Sequence, residues 1–177
     1  MEKENQNIKM RLRNLKLKEM DARTISFLAL FIAFVAVATL INLRGPNLSY
    51  FNLGEIAIYT VAFTFGSGAG AVSGAVGSAL ADTFLGYFLP WAPVTFVVKG
   101  VEGWLVGKIA DGENWKKSLV AVLVGGHIMI LGYGLTKVVL FSWPAALQEI
   151  GIDYGQMIIG GAVAIPLSTQ LNKYFGK

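Results

Sequence analysis

Beyond Arg23 the chain is a succession of apolar runs parted by short polar or glycine–proline breaks. The first run, 24–43, has about the 20 residues that cross a bilayer core, and Arg44-Gly-Pro-Asn47 stops it. Further runs cover 69–86, 94–110, 119–141 and 154–174. Between the first and these lies a short one, 55–65, whose 11 residues reach about 16 Å at 1.5 Å per residue, against a hydrocarbon core of about 30 Å. Either that helix begins earlier, near Leu48, or the loop 44–54 dips towards the membrane, where irregular backbone is tolerated only beside protein or a watery cavity. The pattern predicts an all-α membrane protein with six transmembrane helices. They form one transmembrane, substrate-binding domain over 24–177, behind a polar, basic leader over 1–23.

Composition supports that reading: 15% of residues are charged and the mean hydropathy is +0.57, where a soluble domain carries about a quarter charged residues. The net charge of +4 reflects topology and not a nucleic-acid partner. With the N-terminus inside, twelve lysines and arginines fall on the inner side: seven in the leader, then Lys108, Lys116, Lys117, Lys173 and Lys177. Arg44 alone falls outside, which under the positive-inside rule puts both termini in the cytoplasm of a bacterial-type plasma membrane. The leader does not read as a secretory signal, because a full-length apolar run without a small-residue cleavage site follows it. Ile8, Leu12, Leu15 and Met20 suggest an amphipathic helix on an anionic membrane surface, or else a frayed, solvated segment.

Orientation fixes depth, and depth gathers the charges. Glu55 opens the second span from outside, Asp82 lies near the outer end of the third, and Lys137 is in the last turn of the fifth. Lys99 lies about 9 Å into the fourth span, with Glu102 one turn deeper on the same face. Asp153 opens the sixth span, also outside. Every internal charge is therefore in the outer half, over a nearly charge-free inner half. Such charges are costly unless paired or used, and a bowl open to one side suits a binding site better than a channel. The candidate substrate-binding set is Asn47, Glu55, Asp82, Trp91, Thr95, Lys99, Glu102, Tyr133 and Lys137. Ile130, Tyr133 and Lys137 share one helix face. A self-contained Lys99–Glu102 ion pair and an interfacial aromatic belt of Tyr50, Tyr87, Trp91, Tyr133, Trp143 and Tyr154 are the plainer alternatives. His127, near mid-membrane, reads more readily as packing than as a ligand contact.

Small residues recur at helical spacing, Gly70-x-x-x-Gly74 in the third span and Gly100, Gly103 and Gly107 in the fourth, which favours close helix packing. The run Gly66-Ser-Gly68-Ala-Gly70 lacks the lysine and hydroxyl residue of a phosphate loop. Ala29, Ala33 and Ala36 form a strip on the first span that either packs internally or docks another membrane protein. With no cysteine and one histidine, thiol chemistry and histidine-based metal sites are excluded. No cofactor or metal is expected.

Asn52-Leu-Gly-Glu55, then GSGAGAVSGAVGSALAD up to Asp82, then GYFLPWAP and VVKGVEGWLVG, resemble the S components of energy-coupling factor (ECF) vitamin transporters. The similar branch includes hydroxymethylpyrimidine/pyridoxine, riboflavin-like and queuosine-precursor members, and the likeness is densest from Asn52 to about Ala110. The resemblance implies a six-helix, N-in subunit that binds a vitamin outside, beneath a cap formed by the loop after the first helix. It implies docking through alanines matching Ala29 and Ala33 onto a transmembrane T subunit, toppling, and inward release, with ATP hydrolysed by two partner subunits. The chain itself would then be no enzyme. The stacking rings, carboxylates and lysines suit a small hydroxylated heteroaromatic, with pyridoxine or hydroxymethylpyrimidine preferred over riboflavin or a queuosine precursor. The rivals are a proton-coupled secondary transporter, which needs repeat symmetry not visible here, a membrane-embedded enzyme and a scaffold subunit.

Overall fold

The structure is a computed structural model and describes residues 2–15, 20–44, 50–110 and 114–175. The leader forms helix α1 (Glu2–Arg13). Its apolar stripe is taken up by the bundle: Ile8 and the fully buried Leu12 pack with Phe31, Val61, Phe65 and Ala69. Polar contacts tie α1 down as well. Lys9 Nζ donates to Asn172 Oδ1 at 2.9 Å, and Ser67 Oγ donates to the Arg13 carbonyl at 3.2 Å. Leu12→Ala should therefore lower stability by about 2–4 kcal/mol. Limited proteolysis should then cut α1 away faster than in the parent; equal cutting rates would mean that α1 is not held by this contact.

Helix α2 (Ala22–Leu40) starts where Asp21 accepts hydrogen bonds from the Thr24 hydroxyl at 2.6 Å and its amide at 2.9 Å, the N-cap arrangement that serves an orphan donor. Those bonds, with Arg11 at 2.5 Å, hold the Asp21 carboxyl below its ordinary range. After α2 the chain turns into a two-stranded antiparallel ribbon, β1 (Asn42–Arg44) with β2 (Tyr50–Asn52), in the register Asn42↔Asn52 and Arg44↔Tyr50.

Helix α3 (Gly54–Phe65) begins directly after the ribbon, where Asn52 Oδ1 accepts from the Gly54 amide at 2.7 Å. It does not start near Leu48, because Tyr50–Asn52 are committed to the ribbon. Nearly every residue of α3 is buried, against α2, α6 and α8 among others. An apolar helix enclosed on all sides has no lipid face, so its short length is accommodated by protein.

The next rod is α4 (Ser67–Val72), a π-helical turn (Ser73–Gly77) and α5 (Ser78–Phe84). It is reached through Gly66 at φ 88°, a conformation that glycine adopts without strain. Helix α6 (Trp91–Ile109) packs backbone to backbone on this rod. A Cβ on Gly70 would come within 2.6 Å of the Gly103 carbonyl, and one on Gly74 within 2.6 Å of the Lys99 carbonyl. The small-residue spacing of the two runs thus meets itself across one interface.

Helix α7 (Trp115–Leu140) and helix α8 (Trp143–Phe175) form a long antiparallel pair. The sixth run was expected to begin at 154, but α8 starts eleven residues earlier. Ser142 Oγ accepts from the Ala145 amide at 3.4 Å and Pro144 lies in the first turn, both N-terminal signals. Asp153 therefore lies well inside α8 and does not open it.

Besides α1, the described residues thus contain six helical rods. Three helices, Ala22–Leu40, Trp115–Leu140 and the span Trp143–Lys173 of α8, are long and apolar enough to cross a membrane. Large apolar side chains such as Leu30, Leu135, Val139 and Ile158 face outward, while the interior combines an apolar cluster centred on Ile58, Tyr59, Phe63, Met129 and Met157 with a set of charged side chains.

Candidate functional site

Two turns of α6 carry the centre of the polar interior. Lys99 and Glu102 are three residues apart, so they project on one side of the helix, and the Lys99 ammonium lies 3.2 Å from Glu102 Oε2. The same ammonium is paired with Glu55 from the first turn of α3, sits 2.7 Å from Met129 Sδ, and lies 5.4 Å from the centroid of the Tyr133 ring. Tyr59 donates to Glu102 Oε1 at 2.9 Å. All of these charged groups are buried. A second pair joins helices α7 and α8: Lys137, fully buried, lies 3.2 Å from Glu149 Oε2 and 5.0 Å from the Trp91 ring centroid.

Above the Lys99 cluster is a cavity of about 30 Å³ lined by Thr39, Tyr50, Asn52, Ser78, Asp82 and Trp91, together with Thr95, Lys99, Tyr133, Glu149, Asp153 and Gln156. That is room for a water molecule or two. The ribbon closes one side. Tyr50 donates its hydroxyl to Asp82 and stacks on Tyr87 with centroids 5.6 Å apart. Burial and the neighbouring Asp82 carboxylate push the Tyr50 phenol well above its ordinary pKa, so it remains a donor. The Asn52 amide donates to Gln156 Oε1 at 3.0 Å, and Gln156 Nε2 donates to Asp153 Oδ1 at 3.2 Å, which ties the ribbon to α8. Across the cavity Tyr133 donates to Thr95 at 3.1 Å. Four buried polar atoms at or beside this space have no hydrogen-bond partner among the described residues: Asp153 Oδ2, Ser78 Oγ, Trp91 Nε1 and Glu55 Oε2.

The outer-half charges expected from the chain pattern are thus gathered around one interior site. Asp82, Trp91, Thr95, Lys99 and Tyr133 line the cavity. Glu55 and Glu102 lie behind it as partners of Lys99, and Lys137 lies behind Glu149 and Trp91. Asn47 falls outside the described residues. Lys99 and Glu102 do form an ion pair, but Glu55 makes it a triad. Of the aromatic belt, Tyr50, Trp91 and Tyr133 turn inward, while Trp143 and Tyr154 are exposed. His127 is exposed, with Nδ1 2.7 Å from the Leu123 carbonyl and its ring edge-on to Tyr154, so it does not reach the cavity.

Seven lining residues were not in the candidate set. Glu149, Asp153 and Gln156 share one face of α8 at spacings of four and three, a signal concealed when the helix is taken to start at 154. Ser78 is one turn before Asp82, and Thr39 continues the buried stripe Leu28, Phe31 and Val35 of α2. Tyr50 and Asn52 depend on ribbon register, which the sequence does not reveal. On α2, Ala29 and Ala33 are exposed and Ala36 is half-buried, with Ile25 and Val37 exposed at the ends of the strip.

Comparison with known proteins adds a family. Residues 19–173 match the model described as ECF-type riboflavin transporter, S component. A protein of Pyrococcus woesei, described as an uncharacterized protein in gap 3'region, is 39% identical over 128 residues, 72% of this chain and 85% of its own length. The thiamine precursor transporter HmpT of Lactococcus lactis subsp. cremoris (strain MG1363) is 24% identical over 163 residues, covering 89% of this chain and 94% of that protein.

Proposed function

Since the chain belongs to the family of ECF-type riboflavin transporter S components, we propose that it is the substrate-specific subunit of an ECF importer. It takes up a small vitamin-like heteroaromatic, for which hydroxymethylpyrimidine or pyridoxine fits best. In this reading six helices span the plasma membrane with both termini inside, and the cavity opens to the outside. The observation that carries the reading is the enclosed cavity itself, where the rings of Tyr50, Trp91 and Tyr133 border Asp82, Lys99 and Asp153. Rings on the walls with a few convergent polar groups are what a heteroaromatic ligand requires. Likeness to the thiamine precursor transporter of Lactococcus lactis favours the pyrimidine over riboflavin.

At about 30 Å³ the cavity is closed to any such ligand. Tyr50 has to leave Asp82, so the ribbon acts as the lid. Delivery inward follows docking on the transmembrane T subunit through Ala29, Ala33 and Ala36; the exposure of Ala29 and Ala33 on α2, with Ala36 half-buried beside them, supports a contact face. Two partner ATPase subunits supply the energy, since the glycine run 66–70 lacks the residues of a nucleotide loop.

The test is ligand binding by the purified full-length chain, without ATP or partners, against hydroxymethylpyrimidine, pyridoxine, riboflavin and a queuosine precursor. Tight binding of one of them is expected. Binding of none would overturn the receptor reading.

A further inference from the structure

We infer that the ligand presents a basic amino-heteroaromatic edge, a ring nitrogen beside an exocyclic amine, to Asp153. This rests on the receptor reading above and adds the chemistry of the bound face. Five carboxylates, Glu55, Asp82, Glu102, Glu149 and Asp153, surround or line the cavity, with two ammonium groups among the described residues, Lys99 and Lys137. Both ammonium groups are engaged: Lys99 by Glu55 and Glu102, Lys137 by Glu149. The two aspartates are left to neutral donors. Asp82 receives the Tyr50 hydroxyl, and Asp153 receives Gln156 at Oδ1 only.

Asp153 is the more exacting case. It is fully buried, it lines the cavity, and its Oδ2 has no partner among the described residues. Leaving a buried carboxylate oxygen unmatched is costly, and a ligand that supplies donors and positive charge removes the cost on binding. An amidine-like edge offers two adjacent N–H groups to one carboxylate, the bidentate arrangement that charged planar donors make. The other unmatched atoms have the opposite polarity. Trp91 Nε1 is a donor and Ser78 Oγ can act as one, so they suit an acceptor, a hydroxyl or second ring nitrogen, on the same molecule. The Tyr50, Trp91 and Tyr133 rings favour a flat cationic ring between them. An edge built mainly of carbonyl acceptors, as in a flavin, would face Asp153 with the wrong polarity.

The test uses the full-length chain in detergent and titration calorimetry with a matched probe pair, 4-amino-5-hydroxymethyl-2-methylpyrimidine and its 4-oxo counterpart, beside pyridoxine and riboflavin. The amino probe should bind roughly tenfold or more tightly than the oxo probe, the scale of a charge-assisted hydrogen bond, and Asp153→Asn should bring the pair close to parity. Should that variant not fold, the wild-type ratio decides alone. The inference is overturned if the oxo probe, pyridoxine or riboflavin binds as tightly as the amino probe, or if Asp153→Asn keeps the full preference. In those cases the receptor reading stands, whereas a chain that binds no probe overturns both.

Discussion

Lys99→Met is expected to destabilise the protein by about 3–5 kcal/mol, the loss that follows when one partner of a buried ion pair is removed. Lys99 is the cation for both Glu55 and Glu102, and all three are buried. Methionine, one heavy atom shorter, keeps most of the packing and leaves two carboxylates facing each other. A thermal melt in detergent reads the loss directly. Neutralising the whole set as Glu55→Gln, Lys99→Met and Glu102→Gln together should restore most of the melting temperature, because a removed ion network costs far less than a broken one. If Lys99→Met melts like the parent, the triad does not hold α3 to α6. If the triple variant folds and still binds ligand at parental affinity, the triad serves stability alone.

The second large effect should appear in uptake and not in binding. Ala29→Phe with Ala33→Phe places two rings on an exposed helix face that the bundle does not use, since the buried stripe of α2 is Thr24, Leu28, Phe31, Val35 and Thr39. Folding and ligand affinity should therefore stay near parental values. Transport in cells that supply the partner subunits should fall by roughly a hundredfold, because two bulky side chains at the centre of a close-packed helix contact prevent the backbones from meeting. Parental uptake would move the docking face elsewhere, and a loss of affinity in the isolated chain would mean that α2 acts through the cavity, which it borders at Thr39.

Much of the site was legible because lipid penalises charge. In a chain that is 15% charged, each carboxylate or ammonium inside an apolar run needs a reason, and their depths already grouped Glu55, Asp82, Lys99, Glu102 and Lys137. The glycine spacing of 70, 74 and 103 likewise foretold the close approach of α4 and its π turn to α6. The α8 contribution was hidden for a different reason. The stretch 143–153 lies between two longer apolar runs and is broken by Gln148, Glu149 and Asp153, yet Ser142 and Pro144 start a helix there, and only that helix brings Glu149, Asp153 and Gln156 onto one face.

The sequence by itself determined the class of the molecule, most of its helical rods, the set of internal charges that needs a shared site and the small-residue faces that draw helices together. These follow from transfer of apolar and charged groups between water and lipid and from spacing along a helix, both local to the chain. Only the tertiary structure decided which charges pair and which stay open. Lys99 takes Glu55 over 44 residues of separation as well as Glu102 beside it, Lys137 takes Glu149, and Asp153 is left with one oxygen unmatched among the described residues. Partner choice of that kind depends on how rods rotate and which side chains arrive first at a shared space, and spacing along one strand of sequence carries no record of it.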